Sequence, residues 1–256
     1  MKKNLFCLLA ISSFAFGYDG IVYAKNSAKM SLQIDGIVSS IFVKEGSKIN
    51  KDFVILKLDD SLQKLEVERR KSIFEDVAEY ESNKKNLVLA KSLYESTKSL
   101  YEKTASVSKD ELNSIEMQYQ TLLGKVNSFE ARKAQEKVEY SIAKEVLEKY
   151  QLISPIKGVV TSLEIQKGEW AKAGEVQAVI LDNSVCYVEL NIEEDIGRKL
   201  RVGKKALVKS SGYKKQGIIS YIAPMADKAS GLMKVKVEFE NPNGTFIAGT
   251  LAQVSF

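Results

Sequence analysis

The chain has 256 residues, 45% of them hydrophobic and 28% charged, a balance that supports several small folded domains and excludes both a disordered chain and an integral membrane protein. Its net charge of +5 falls to +3 once Lys2 and Lys3 leave with a leader, too slight a surplus for a nucleic-acid footprint. There is no histidine, so His-based acid–base catalysis, Ser–His triads and imidazole metal sites are excluded.

The chain opens on a basic Met1-Lys2-Lys3, an apolar run Leu5-Phe6-Cys7-Leu8-Leu9-Ala10-Ile11, and small residues at Ala15-Phe16-Gly17. This is the pattern of a signal peptide over residues 1–17, cut after Gly17, with Ala24 the alternative site. The run is short for a bilayer span, which makes an uncleaved anchor the second reading. Cys7 leaves with the leader, and Leu5-Phe6 lack the small residues that precede a lipid-modified cysteine. Cys186 then stands alone, so no intramolecular disulfide forms, and it is read as a small apolar strand residue.

Residues 27–60 read as half of a small β-domain. Gly36-Ile37-Val38 turns into a strand, Glu45-Gly46 makes a second turn, and Val54-Ile55-Leu56-Lys57-Leu58-Asp59 closes on a strand ending in Asp. Residues 152–183 repeat that grammar with Gly158-Val159-Val160, then Gly168, then Val176 to Asp182. A domain split in this way requires a connection that leaves and returns to the same place.

Residues 61–151 supply it. From Leu62 to Tyr150 there is no proline and only Gly124, and the composition is that of long helices. Ile73, Tyr80, Leu87, Tyr94 and Tyr101 lie seven apart, and Leu112, Ile115, Tyr119, Leu122, Val126 and Phe129 alternate three and four, resuming at Tyr140 after a polar break at Lys133 and Glu136. The small and polar residues of 103–108 mark a turn. Ser108 with Glu111 is a capping box that restarts a helix at about Lys109. Two antiparallel helices of about 43 residues each predict a coiled-coil rod on the order of 65 Å long. With Tyr101 opposite Leu112, antiparallel register places Tyr94 against Tyr119, Leu87 against Val126, Tyr80 against Lys133 and Ile73 against Tyr140. Polar seam positions and tyrosines leave room for lateral partners beyond the two helices.

Residues 184–256 alternate apolar and polar in five or six short strands, with a turn of helix at Glu193–Leu200 and a turn at Asn241-Pro242-Asn243-Gly244. This predicts a small β-barrel. No cysteine pair, phosphate loop or calcium loop accompanies it, so no cofactor or metal is expected. Asp59-Asp60 is the one tempting carboxylate pair, and its place at a strand-to-helix junction points to a helix N-cap instead of catalysis. The chain reads as a non-enzyme of mixed α and β class, an elongated molecule with a split lipoyl-like sandwich, an inserted helical hairpin and a barrel.

That order resembles the periplasmic adaptors, or membrane fusion proteins, of tripartite efflux pumps, most like those of the resistance-nodulation-division class. The likeness is carried by Gly36-Ile37-Val38 with Glu45-Gly46, by Val107-Ser108-Lys109-Asp110-Glu111-Leu112, by Ser154-Pro155-Ile156-Lys157-Gly158-Val159-Val160, and by Asn241 with Gly249. It implies a periplasmic protein held at the inner membrane through its transporter. Its partners would be an inner-membrane transporter, an outer-membrane channel and further copies of itself in a trimeric or hexameric ring, with drugs or other small toxic compounds as cargo. It also implies that the hairpin tip, Ser106, Val107, Ser108, Lys109, Glu111 and Leu112, docks on the channel, while Gly36, Gly46, Gly158 and Gly168 form the lipoyl-like turns. The hairpin replaces the turn that carries the modified lysine in carrier domains, so no lipoylation or biotinylation is expected. Many adaptors of this class have Arg eleven residues and Leu seven residues before the tip serine, where this chain has Thr97 and Tyr101. A further membrane-proximal domain after the barrel is not expected here. An adaptor for an ATP-driven or type I secretion exporter shares the plan and is the alternative. A metal-efflux adaptor would show a methionine cluster where Met30 is alone.

Overall fold

The computed structural model describes residues 17–104 and 106–256, and the leader expected over 1–17 lies almost wholly outside them. Strand β1 (Tyr18–Ser31) leads into β2 (Gly36–Ile41), β3 (Lys48–Ile49) and β4 (Val54–Leu58). Three helices follow, α1 (Ser61–Glu75), α2 (Ala78–Thr104) and α3 (Lys109–Glu148). The chain returns through β5 (Gln151–Ile153), β6 (Gly158–Leu163), β7 (Trp170–Ala171) and the long β8 (Val176–Glu193). After the short α4 (Glu194–Gly197), β9 (Lys205–Ser210), β10 (Tyr213–Ala226), β11 (Leu232–Glu240) and β12 (Leu251–Ser255) complete it.

The two β-halves interlock strand by strand. One sheet runs β5-β4-β2-β7, with its outer strands from the second half and its inner strands from the first. Across the other face β3 pairs with β6, Lys48 opposite Val159, and β6 pairs with β8. Val38, Ile55, Leu56, Leu58, Val160, Ile165 and Ile180 share one buried core. The repeated grammar has a direct counterpart, because Gly36 and Gly158, Gly46 and Gly168, Lys48 and Trp170, and Val54 and Val176 stand at one constant offset.

The four glycines divide into two kinds. Gly46 and Gly168 have φ of 83° and 89°, a left-handed turn conformation that glycine adopts without steric cost. Gly36 and Gly158 are not in the turns, contrary to expectation; each opens the strand beyond one. There the lack of a side chain permits close approach, since a Cβ on Gly158 would lie 2.5 Å from the Leu181 carbonyl oxygen.

The hairpin leaves at Asp60, beyond β4, and re-enters at Gln151, in β5, with Lys57 opposite Gln151 and Leu58 N–H donating to the Tyr150 carbonyl at 2.9 Å. Its outgoing arm is not the continuous helix expected. It is broken at Asp76–Val77, where Asp76 is extended (φ −71°, ψ 104°), while α3 runs its 40 residues without interruption. Beyond the break Tyr94 stacks on Tyr119 at 5.5 Å, as the expected register places it, whereas Tyr101, expected opposite Leu112, is exposed. On the sandwich side of the break the register slips: Phe74, not Ile73, stacks on Tyr140 at 6.1 Å. Two non-helical residues add rise and rotation, which moves α1 against α3.

The barrel is closed by six strands in the order β1-β12-β9-β10-β11-β8, with β1 pairing back on β8. Its closing strand comes from Tyr18–Ala24, a stretch assigned to no domain in the sequence. Val22, fully buried, joins Val188, Leu190, Val208, Ile219, Val235, Val237 and Val254 in the barrel core. The apolar alternation along β8, β9 and β11 places these residues on the inner face and their polar neighbours outside. The expected turn of helix after β8 is present as α4.

Candidate functional site

The residues expected to dock, Ser106, Val107, Ser108, Lys109, Glu111 and Leu112, lie in the turn between α2 and α3 and in the first turn of α3. Ser108, extended at φ −72° and ψ 155°, is the N-cap of α3, and its hydroxyl accepts the Glu111 amide at 3.1 Å. That bond satisfies one of the amides that a helix start leaves unpaired, while Asp110 and Glu111 in the first turn complement the helix dipole. On the outgoing side the Thr104 hydroxyl donates to the Leu100 carbonyl at 2.8 Å and shares a 2.6 Å hydrogen bond with the Ser106 hydroxyl. The turn is thus held by its own side chains. Ser106, Ser108, Lys109 and Glu111 are exposed, and Val107 and Leu112 are half-buried. Thr97 is buried within the hairpin, whereas Tyr101 is exposed.

The rod carries a second surface feature that heptad counting did not isolate. Leu89, Leu93 and Leu100, exposed by 70%, 52% and 49%, follow one line along α2, and Met117, Val138 and Ile142 are exposed on α3. These residues face away from the seam. The signal was present in the sequence as apolar residues outside the heptad positions.

Other chemistry-bearing groups are accounted for structurally. Asp59 accepts the Ser61 amide at 3.1 Å and its hydroxyl at 2.6 Å, and those hydrogen bonds hold its carboxyl below the usual range. Asp60 holds the N-cap position without a side-chain cap bond, pairing instead with Lys64 at 2.8 Å and Lys57 at 3.5 Å. The helix start is therefore capped by Asp59 and not by both carboxylates. Burial pushes the Cys186 thiol up, and its sulfur lies 2.9 Å from Asn183 Oδ1. No group of three or more Cys, Asp or Glu able to hold a metal occurs among the described residues. No described helix is long and apolar enough to cross a membrane.

Split sandwich, inserted hairpin and closing barrel together define an adaptor architecture. The chain belongs to the RND membrane fusion protein (MFP) family: residues 26–183 match its barrel-sandwich hybrid domain and residues 186–256 a CusB-like beta-barrel domain. It is 23% identical over 244 residues to the macrolide export protein MacA of Escherichia coli, covering 92% of this chain and 66% of that one. It is 22% identical over 224 residues to the cobalt-zinc-cadmium resistance protein CzcB of Cupriavidus metallidurans, covering 87% of this chain and 41% of that one. The chain thus spans less than two thirds of either relative's length. Among solved structures, MacA from Actinobacillus actinomycetemcomitans shares the fold at a TM-score of 0.76 and 19% identity, covering 93% of this chain and 76% of that one.

Proposed function

We propose that the chain is a periplasmic adaptor that links an inner-membrane efflux transporter to an outer-membrane channel, with drugs or other small toxic compounds as the cargo. The observation that carries this reading is the tip. It is a self-capped turn at the end of a long helical hairpin, with Ser106, Ser108, Lys109 and Glu111 exposed and no core nearby for them to support. The two arms of the hairpin act as an antiparallel coiled coil. Copies assemble side by side into a trimeric or hexameric ring, and the exposed apolar line on α2 with its counterpart on α3 supplies the lateral contacts. The leader over residues 1–17 directs the chain to the periplasm. Cleavage after Gly17 keeps β1 whole, whereas cleavage after Ala24 would remove Val22 from the barrel core.

Val107→Asp tests the docking role, because it changes the tip without touching the Ser108 cap. The expected result is normal export and retained association with the inner-membrane transporter, with loss of channel cross-linking and of efflux. Wild-type efflux in cells carrying this and other disruptive tip substitutions would overturn the reading and leave the rod as a spacer.

A further inference from the structure

The break at Asp76–Val77 has one local contributor, the Asp76 side chain, which caps the Ala78 amide at the start of α2. The run from Lys71 to Tyr80 contains neither glycine nor proline, and sharp helix interruptions without them arise where a side chain enters the backbone ladder. Lys133 of α3 is that side chain. In an uninterrupted helix the Ile73 carbonyl would accept the Val77 amide and the Phe74 carbonyl the Ala78 amide. The Lys133 ammonium donates to these same two carbonyls, at 3.0 and 3.2 Å. The Ala78 amide turns instead to Asp76 Oδ1 at 3.3 Å. One lysine and one aspartate thus replace helical backbone bonds.

The replacement is anchored from behind. The third Lys133 proton goes to Glu136 Oε2 at 2.7 Å, and Arg132 Nε donates to the other carboxylate oxygen at 2.9 Å. The Glu136 side chain is 8% exposed, so its charge is tied to this arrangement. Beside the break lies a cavity of about 300 Å³, lined by Ser72, Ile73, Asp76, Tyr80, Phe129 and Lys133. Two sets of partners therefore compete for the Ile73 and Phe74 carbonyls, and there is space beside them for the arm to rearrange.

We propose that the outgoing arm is a two-state joint: Lys133 holds it open at Asp76–Val77, and withdrawal of its ammonium lets α1 and α2 close into one helix. Closure exchanges extended rise for helical rise at two residues, which shortens the arm by about 3–4 Å and rotates α2 against α3. The tip would shift relative to the sandwich as a result. This inference concerns the rod itself and does not rest on the identity of the docking partners.

Amide hydrogen exchange on the full mature chain tests it. In the unsubstituted protein Val77 and Ala78 should exchange rapidly. Lys133→Met keeps the aliphatic stem and removes the charge, and should slow both amides at least tenfold while those around Tyr94 stay unchanged. Lys133→Met with Glu136→Leu removes the whole charged cluster, leaving no orphaned carboxylate, and serves if the single variant loses its fold. Unchanged exchange at Val77 and Ala78 in whichever variant folds would overturn the proposal. Loss of hairpin helicity in both would also overturn it, since Lys133 would then be a plain brace.

Discussion

Asn241 shows how much one buried amide can hold. Its side chain, 2% exposed, donates to the Asn183 carbonyl at 3.0 Å and the Phe246 carbonyl at 2.9 Å and accepts the Phe246 amide at 3.1 Å. Asn241→Ala strands those groups, and the urea midpoint should fall by the equivalent of about 3 kcal/mol with an unchanged slope. Glu136 offers a pH test. Lys133 holds its carboxyl below the ordinary 4.5 against the opposing effect of burial, with Arg132 adding to the pull. A carboxyl depressed in the folded state contributes its stability above the unfolded value and loses it as pH falls from there toward the folded value. Between pH 7 and 3 the thermal midpoint should therefore drop more in the unsubstituted protein than in Glu136→Gln, with the difference opening below about 4.5. Parallel curves would show that the Glu136 charge is not coupled to folding.

Among the elements, pairing of β3 with β6 joins residues that the sequence separates by the entire hairpin. Lys48→Cys with Val159→Cys places thiols on directly opposite antiparallel residues, about 4.5–5.5 Å apart at Cα and within disulfide reach. Oxidation should give a cross-linked monomer with native spectra; a folded protein that never cross-links would show the halves apart. That the two halves form one domain was legible, though not this strand pair, because the turn glycines Gly46 and Gly168 and the strands around them recur in the same order. The broken arm was only weakly legible: the lysine that takes the Ile73 and Phe74 carbonyls lies on another helix, and the local sign is an aspartate, Asp76, which caps the Ala78 amide. The closing strand Tyr18–Ala24 escaped for a similar reason: it abuts the leader, and its partner β12 lies at the opposite end of the sequence, with Tyr18 facing Val254. Gly36 and Gly158 look like turn residues by composition, and only the neighbouring Leu58 and Leu181 reveal that space, not φ, selects them.

At the scale of the whole molecule, β1 and β8 run side by side through both β-domains, from Gly20 opposite Leu190 to Ser31 opposite Val176, with register shifts at Ala24/Asn26 and Met30/Ser31. The hairpin, by contrast, joins the β-structure where β4 and β5 are already bonded neighbours, Leu58 to Tyr150. Replacing residues 61–149 with a short glycine-asparagine turn should therefore leave sandwich and barrel folded, since a short loop between adjacent ends closes at little entropic cost. Retained protection of the β1–β8 amides in that variant is the expected outcome, and global loss of protection would show that the rod helps to hold the sandwich. Because the rod is attached at one pair of touching ends, its length is free of the packing that anchors it. The rod can lengthen or shorten turn by turn while the footing on which it stands keeps its shape.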